Sequence, residues 1–111
     1  MKVIVSNVAA ADAERTVDIY NAKSGRYGPA VAEEVARAYV RIAENPRQYS
    51  PFEYGPAGVE MRVYHIRRFD LIVLFEVRKF DVVIHSVVHA NMPPEKWITR
   101  SDPIPPTEDR P

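Results

Sequence analysis

The sequence predicts an α+β fold in the order β-α-α-β-β-β, with a helix hairpin packed on one face of a small, mainly antiparallel sheet. Three observations carry that expectation. The cleanest helical period in the chain, Val31, Val35, Ala38/Tyr39 and Ile42, lies in the first half. Runs rich in β-branched and aromatic residues crowd the second half, at 59–66, 69–77 and 82–88. The links between those runs, Arg67-Arg68 and Arg78-Lys-Phe-Asp81, are short enough for consecutive antiparallel hairpins.

Element by element, Met1-Lys-Val-Ile-Val5 is short and β-branched and reads as a strand. Ser6-Asn7 is placed to cap a helix, since a short polar side chain can accept a free N–H of the first turn. From Ala9 to about Asn21, Ala10, Ala13, Val17 and Tyr20 make one apolar stripe, and Asp12, Glu14 and Asp18 read as its solvated face. Ser24-Gly-Arg-Tyr-Gly28 breaks that helix, and the second opens with Pro29, whose missing N–H costs nothing in a first turn. Asn45-Pro46 ends it, because the residue before proline is pushed out of the helical region. Residues 46–58 carry three prolines and two glycines and read as a long loop, a length uncommon in a compact domain unless the loop serves a function. The strand at 59–66 alternates Val59, Met61 and Val63 against Glu60 and Arg62, while 69–77 is apolar on both faces and so belongs at the centre of the sheet. The reading is one domain over 1–100 followed by a tail at 101–111, where four prolines and four charges preclude a core element.

Composition narrows function by exclusion. With 46% apolar and 27% charged residues, the chain is an ordinary globular one. Fifteen basic residues balance fifteen acidic ones, which argues against general nucleic-acid coating. The balance is uneven along the chain: fourteen of the basic but twelve of the acidic residues lie before position 101. Eleven of the basic residues are Arg, the side chain suited to bidentate contact with carboxylate or phosphate. The absence of Cys excludes disulfides, thiolate chemistry and cysteine zinc sites. No stretch approaches the ~20 apolar residues of a membrane span and no secretion signal opens the chain, so the expected location is cytoplasmic.

Candidate chemistry is sparse. Arg62, Arg67, Arg68, Arg78 and Arg100 fall on or beside the sheet half, and by alternation Arg62 is expected to leave the helix-covered face. They read either as a surface for an anion or acidic partner, or as solvated side chains paired with Glu53, Glu60, Glu76 or Asp81. His65 and His85 lie within strands and read as packed or half-buried neutral residues. His89 lies just past the last strand, where a general acid or base would sit on a loop. No acidic or Cys ligands stand at metal-site spacing around the histidines, and no metal or cofactor is expected. Phosphate-cradling glycine loops, nucleophile elbows and dinucleotide fingerprints do not occur. Trp97, after Pro93-Pro94, is either an exposed partner anchor or an aromatic pinning the C-terminal segment to the core.

Taken together, the elements and several fragments resemble toxins of the RelE/ParE superfamily from type II toxin–antitoxin (plasmid stabilization) systems. The fragments are the Tyr20 region, Ile42-Ala-Glu-Asn-Pro46 followed by Tyr49, Arg62, Arg68-Phe69, Phe75-Glu-Val77, and His89 followed by Pro94, Trp97 and Arg100. The departures are Phe69-Asp70-Leu71 where the family commonly has Phe-Pro-Tyr, Met92 where it commonly has an Arg, and no lysine cluster. The resemblance implies a growth-inhibiting toxin neutralised by a cognate small antitoxin, forming a homodimer or a toxin–antitoxin hetero-oligomer. It leaves three activities open. One is binding of a protein target, as gyrase-poisoning members do, with Arg62, Arg67, Arg68, Trp97 and Arg100 as partner-binding residues. A second is ribosome-dependent cleavage of mRNA, with Arg62 and Arg68 stabilising the developing phosphorane and His89 moving a proton. The third is an inactive relative that binds only its antitoxin.

Overall fold

Valine and isoleucine runs enter a single sheet and the alanine-rich first half supplies the helices. The computed structural model describes residues 1–97. Strand β1 (Lys2–Val5) leads into helices α1 (Asn7–Lys23) and α2 (Tyr27–Glu44), followed by β2 (Ser50–Pro51), β3 (Met61–Ile66), β4 (Leu71–Val77) and β5 (Asp81–His89). The sheet order is β1-β5-β4-β3-β2; β1 runs parallel to β5 and every other neighbour is antiparallel. The expected α+β architecture is the one observed. It gains a fifth strand because Ser50 and Pro51, inside the expected loop, pair with Val63 and Arg62. Arg100 and the expected tail at 101–111 lie outside the described residues.

All seven residues of β4 are buried, as its two-faced apolar pattern predicts. On one face, Leu71, Val73, Phe75 and Val77 join Val82, Ile84 and Val87 of β5 against Val31, Val35, Ala38 and Ile42 of α2 and Ala9 of α1. On the other, Ile72 and Leu74 form a smaller cluster with Met61, Val88 and Trp97, with Phe52, Val59 and Val63 packed against it. The long loop and the C-terminal segment therefore close part of the sheet face that the helices leave.

Ser6 makes the passage from β1 to α1. Its N–H donates to Ile84 O at 3.0 Å, continuing the sheet, while its Oγ accepts the Ala9 N–H at 3.1 Å as the helix cap. One turn on, Asp12 departs from expectation. It is buried, and its Oδ2 accepts the Val87 N–H at 3.0 Å. Ala9 takes the inward place expected of Ala10, which is exposed. Ala13, Val17 and Tyr20 pack against the core as the stripe predicts, and Ser6 is the cap.

Two further features fix the frame. The β4–β5 register steps from Leu74↔Ser86 to Phe75↔Ile84, leaving His85 as the extra residue of a bulge. At the helix hairpin, a Cβ added to Gly28 would lie 2.6 Å from Asn21 Oδ1 and 2.8 Å from Asn21 Cβ, so only glycine permits this approach of α1 and α2.

Candidate functional site

The turn from β3 to β4 carries two of the predicted site residues, Arg67 and Arg68, and brings a third, His89, beside them. Arg67 and Arg68 fall in a short 3-10 turn that ends on Asp70 at φ 53°, a left-handed conformation that Asp tolerates better than most residues. Asp70 O accepts the Ala90 N–H at 2.9 Å, which draws the end of β5 beside the turn. Arg68 and His89 consequently line one open recess of about 540 Å3, walled by Tyr20, Tyr27, Phe69 and Asp70. His89 Nδ1 accepts the Asn91 N–H at 3.2 Å, which in the neutral ring leaves the proton on Nε2. Asp70 Oδ1 is held by His65 Nε2 at 2.6 Å. The carboxylate nearest this recess thus serves His65.

Arg62 stands elsewhere. Met61 and Val63 pack in the second cluster and Tyr64 and Ile66 in the helix-side one, so Arg62 shares the helix-side face. The expectation that it leaves that face is corrected: the alternation is right, but Met61 and Val63 face the opposite side from the one assumed. Its Nε donates to Glu60 Oε2 at 2.9 Å and its Nη1 to Tyr49 O. Arg47 also donates to Glu60, at 3.1–3.3 Å. Burial pushes the Glu60 carboxyl up, but the hydrogen bonds from Arg62 and Arg47 outweigh it and hold the group below its ordinary value. Arg62 does not line the recess that holds Arg68 and His89.

Of the two readings of Trp97, the geometry fits the aromatic that pins the C-terminal segment, and the residue is not exposed. It is 8% exposed, stacked on Phe52 with ring centroids 5.7 Å apart. Its Nε1 donates to Met92 O at 2.8 Å, and its own carbonyl accepts Ser86 Oγ at 2.7 Å. Both ends of the residue are satisfied inside the protein, so it pins the segment after β5 onto the second face.

Arg78 and His85 belong to a buried polar cluster that sequence reasoning did not assemble. Glu76 Oε2 accepts Arg78 Nε at 3.0 Å, and Glu76 Oε1 lies 3.0 Å from His85 Nε2. The three are 3%, 6% and 8% exposed. The β4–β5 register brings them together: Glu76 stands opposite Val83, and His85, two residues on, shares that face, the bulge setting in only beyond Ile84. Sequence alternation assigns the face but not the register.

Two more surfaces are present. A groove between α2 and β3 is lined by Arg41, Arg67 and Arg68. An apolar cleft of about 530 Å3 lies along the outer edge of β1, walled by Met1, Val3, Val5, Tyr39, Val40 and Ala43. There the Tyr39 hydroxyl is buried with no hydrogen-bond partner among the described residues, and burial, with Asp12 nearby, pushes its pKa up to about 12. Among the described residues no group of three or more His, Asp or Glu could hold a metal ion, and no helix is long and apolar enough to cross a membrane.

A helix hairpin on a five-stranded sheet, with an arginine-bearing β3–β4 turn set beside the end of β5, is the frame of a small type II toxin. The family described as ParE toxin of type II toxin-antitoxin system, parDE, matches residues 3–94, and the chain belongs to it. A solved structure described as the chromosomal ParDE TA system from P. aeruginosa is similar in fold, with a TM-score of 0.69 at 17% sequence identity, over 82% of this chain and 97% of that one. No curated protein sequence matches.

Proposed function

We propose that this ParE-family toxin is held inactive by a cognate small ParD-type antitoxin and arrests growth by binding a protein target such as DNA gyrase. The observation that favours binding over RNA cleavage is the separation of Arg62 from Arg68 and His89. A nuclease built on these three needs its phosphate-stabilising cations and its proton carrier around one scissile phosphate. Here Arg62 is committed to Glu60 and the Tyr49 carbonyl, and only Arg68 and His89 share a recess. The exposed apolar cleft beside β1, with Val40 61% exposed, adds support, since contiguous apolar surface on a small soluble protein marks protein contact.

The test is induced expression of the chain alone and together with the small open reading frame adjacent to its gene. Growth arrest with intact messages, relaxed or broken DNA, inhibited gyrase supercoiling by the purified protein, and rescue by the co-expressed partner would agree with the proposal. Cleaved messages in arrested cells would overturn it in favour of the ribosome-dependent endoribonuclease. One observation favours that second reading: Arg68 and His89 flank one recess with two tyrosines. In that case Arg68→Ala and His89→Ala abolish cleavage.

A further inference from the structure

The outer rim of the sheet at β3 is only partly used. Along an antiparallel strand, successive residues turn their main-chain groups to alternate neighbours. Glu60 O accepts the Val77 N–H from the β4 side at 2.9 Å, whereas Met61 O accepts the Phe52 N–H from the other side at 2.8 Å. By that alternation the N–H and C=O groups of Met61, Val63 and His65 face away from β4. β2 meets Val63 with Ser50 and Arg62 with Pro51 and goes no further, because the 3-10 turn at Pro46–Gln48 carries the preceding chain off the sheet. His65 is an open edge that no strand of the sheet claims.

That edge borders the groove of about 550 Å3 between α2 and β3. Its arginines differ from most of the others among the described residues. Arg15, Arg37, Arg47, Arg62 and Arg78 each meet a carboxylate. Among the described residues Arg41, Arg67 and Arg68 have no carboxylate within ion-pair distance; Arg41 donates to the Tyr64 hydroxyl at 3.2 Å and Arg68 lies over the Phe69 ring. The one acidic residue lining the groove, Glu34, is held by Arg37 at 2.9 Å.

We infer that this groove binds an extended, acidic peptide segment of a protein partner, which pairs its main chain with His65 and sets carboxylates against Arg41, Arg67 and Arg68. The segment is extended because an open strand edge offers donor and acceptor at strand spacing. It is acidic because three guanidinium groups converge with no carboxylate of their own. It is a peptide rather than RNA because the adjacent N–H and C=O of His65 match the alternating acceptor and donor of another main chain at strand spacing, which a sugar–phosphate backbone does not reproduce. The inference rests on the reading of the chain as a protein-binding toxin and adds the chemistry of one bound segment.

The experiment uses the full chain and a fluorescein-labelled peptide alternating Glu and Val, read by anisotropy. A Gln-for-Glu peptide and a labelled single-stranded RNA of similar length serve as competitors for the assignment. The Glu peptide binds about tenfold more tightly than the Gln peptide or the RNA, and Arg67→Ala/Arg68→Ala weakens it about tenfold with unchanged thermal unfolding. Saturation with the peptide slows hydrogen exchange of the His65 amide. Equal affinity for the two peptides, tighter binding of the RNA, or binding with no change at the His65 amide would overturn the inference. Growth arrest with failed peptide binding refutes the groove alone, and peptide binding without arrest refutes the toxin reading alone.

Discussion

The Asp12 carboxylate of α1 accepts the main-chain N–H of Val87 in β5, 75 residues further along the chain, at 3.0 Å. β1 ends at Val5, opposite Ile84, so no strand reaches Val87 from that side, and a helix side chain takes the place of a sheet carbonyl. Replacing Asp12 by Ala strands a buried N–H and lowers unfolding free energy by about 1–3 kcal/mol. Asp12→Asn retains an acceptor oxygen and loses less. Urea unfolding of the two variants measures the difference.

The Glu76 carboxylate is shared by Arg78 and His85 in a nearly dry site. Removing one partner of a buried ion pair leaves charge without compensation, so Glu76→Ala costs about 3–5 kcal/mol. Replacing Glu76 and Arg78 together by Met costs less than the single change, because both desolvation penalties disappear. Chemical denaturation of the single and double variants reads this directly.

The helix hairpin, the central position of β4 and the strand order of the second half are legible in the sequence because each rests on local periodicity or on turn length. Asp12, Arg62 and the Glu76–His85 contact are not legible for a common reason. Each is set by a relation between distant segments: a missing length of β1, the choice of which β3 face meets the helices, and the register of β5 on β4. Trp97 admits two sequence readings, and only the position of Phe52 decides between them. Of the candidate site, Arg68 and His89 come together as their places at strand ends suggest, because Asp70 and Ala90 join those ends.

Glu60 makes stability depend on acidity. Its carboxyl is held below its ordinary value, so its contribution is complete above the unfolded-state pKa of about 4.3 and is lost as pH falls through the lower folded value. The stability gap between the wild-type chain and Glu60→Gln is therefore widest near neutrality and narrows as pH drops below about 4.3. Thermal midpoints of both proteins across acidic pH check the sign.

Gly28→Ala drives a methyl group into Asn21 and costs about 1–3 kcal/mol. Asn21→Ala in the same chain relieves only part of this, since Asn21 Cβ itself lies 2.8 Å from the added methyl. A double-mutant cycle in urea separates the two contributions.

Trp97→Ala removes the ring stacked on Phe52 and costs about 3–5 kcal/mol of stability. At a temperature where the variant remains folded, binding of antitoxin and target is retained, whereas a partner anchor would lose affinity in proportion. Calorimetry and co-purification of the same variant distinguish the two.

The parallel pairing of β1 with β5 also governs when the molecule can exist during synthesis. The first strand has no strand neighbour other than β5, the last strand of the sheet to leave the ribosome. Ser6, which starts α1, is anchored to Ile84 and His85 of that same late strand. A nascent chain that stops short of β5 has helices with no completed sheet to cover and a central β4 with one flank bare. The sheet is thus complete only once β5 has been made, and a fragment that stops before it lacks the strand that holds both β1 and the start of α1.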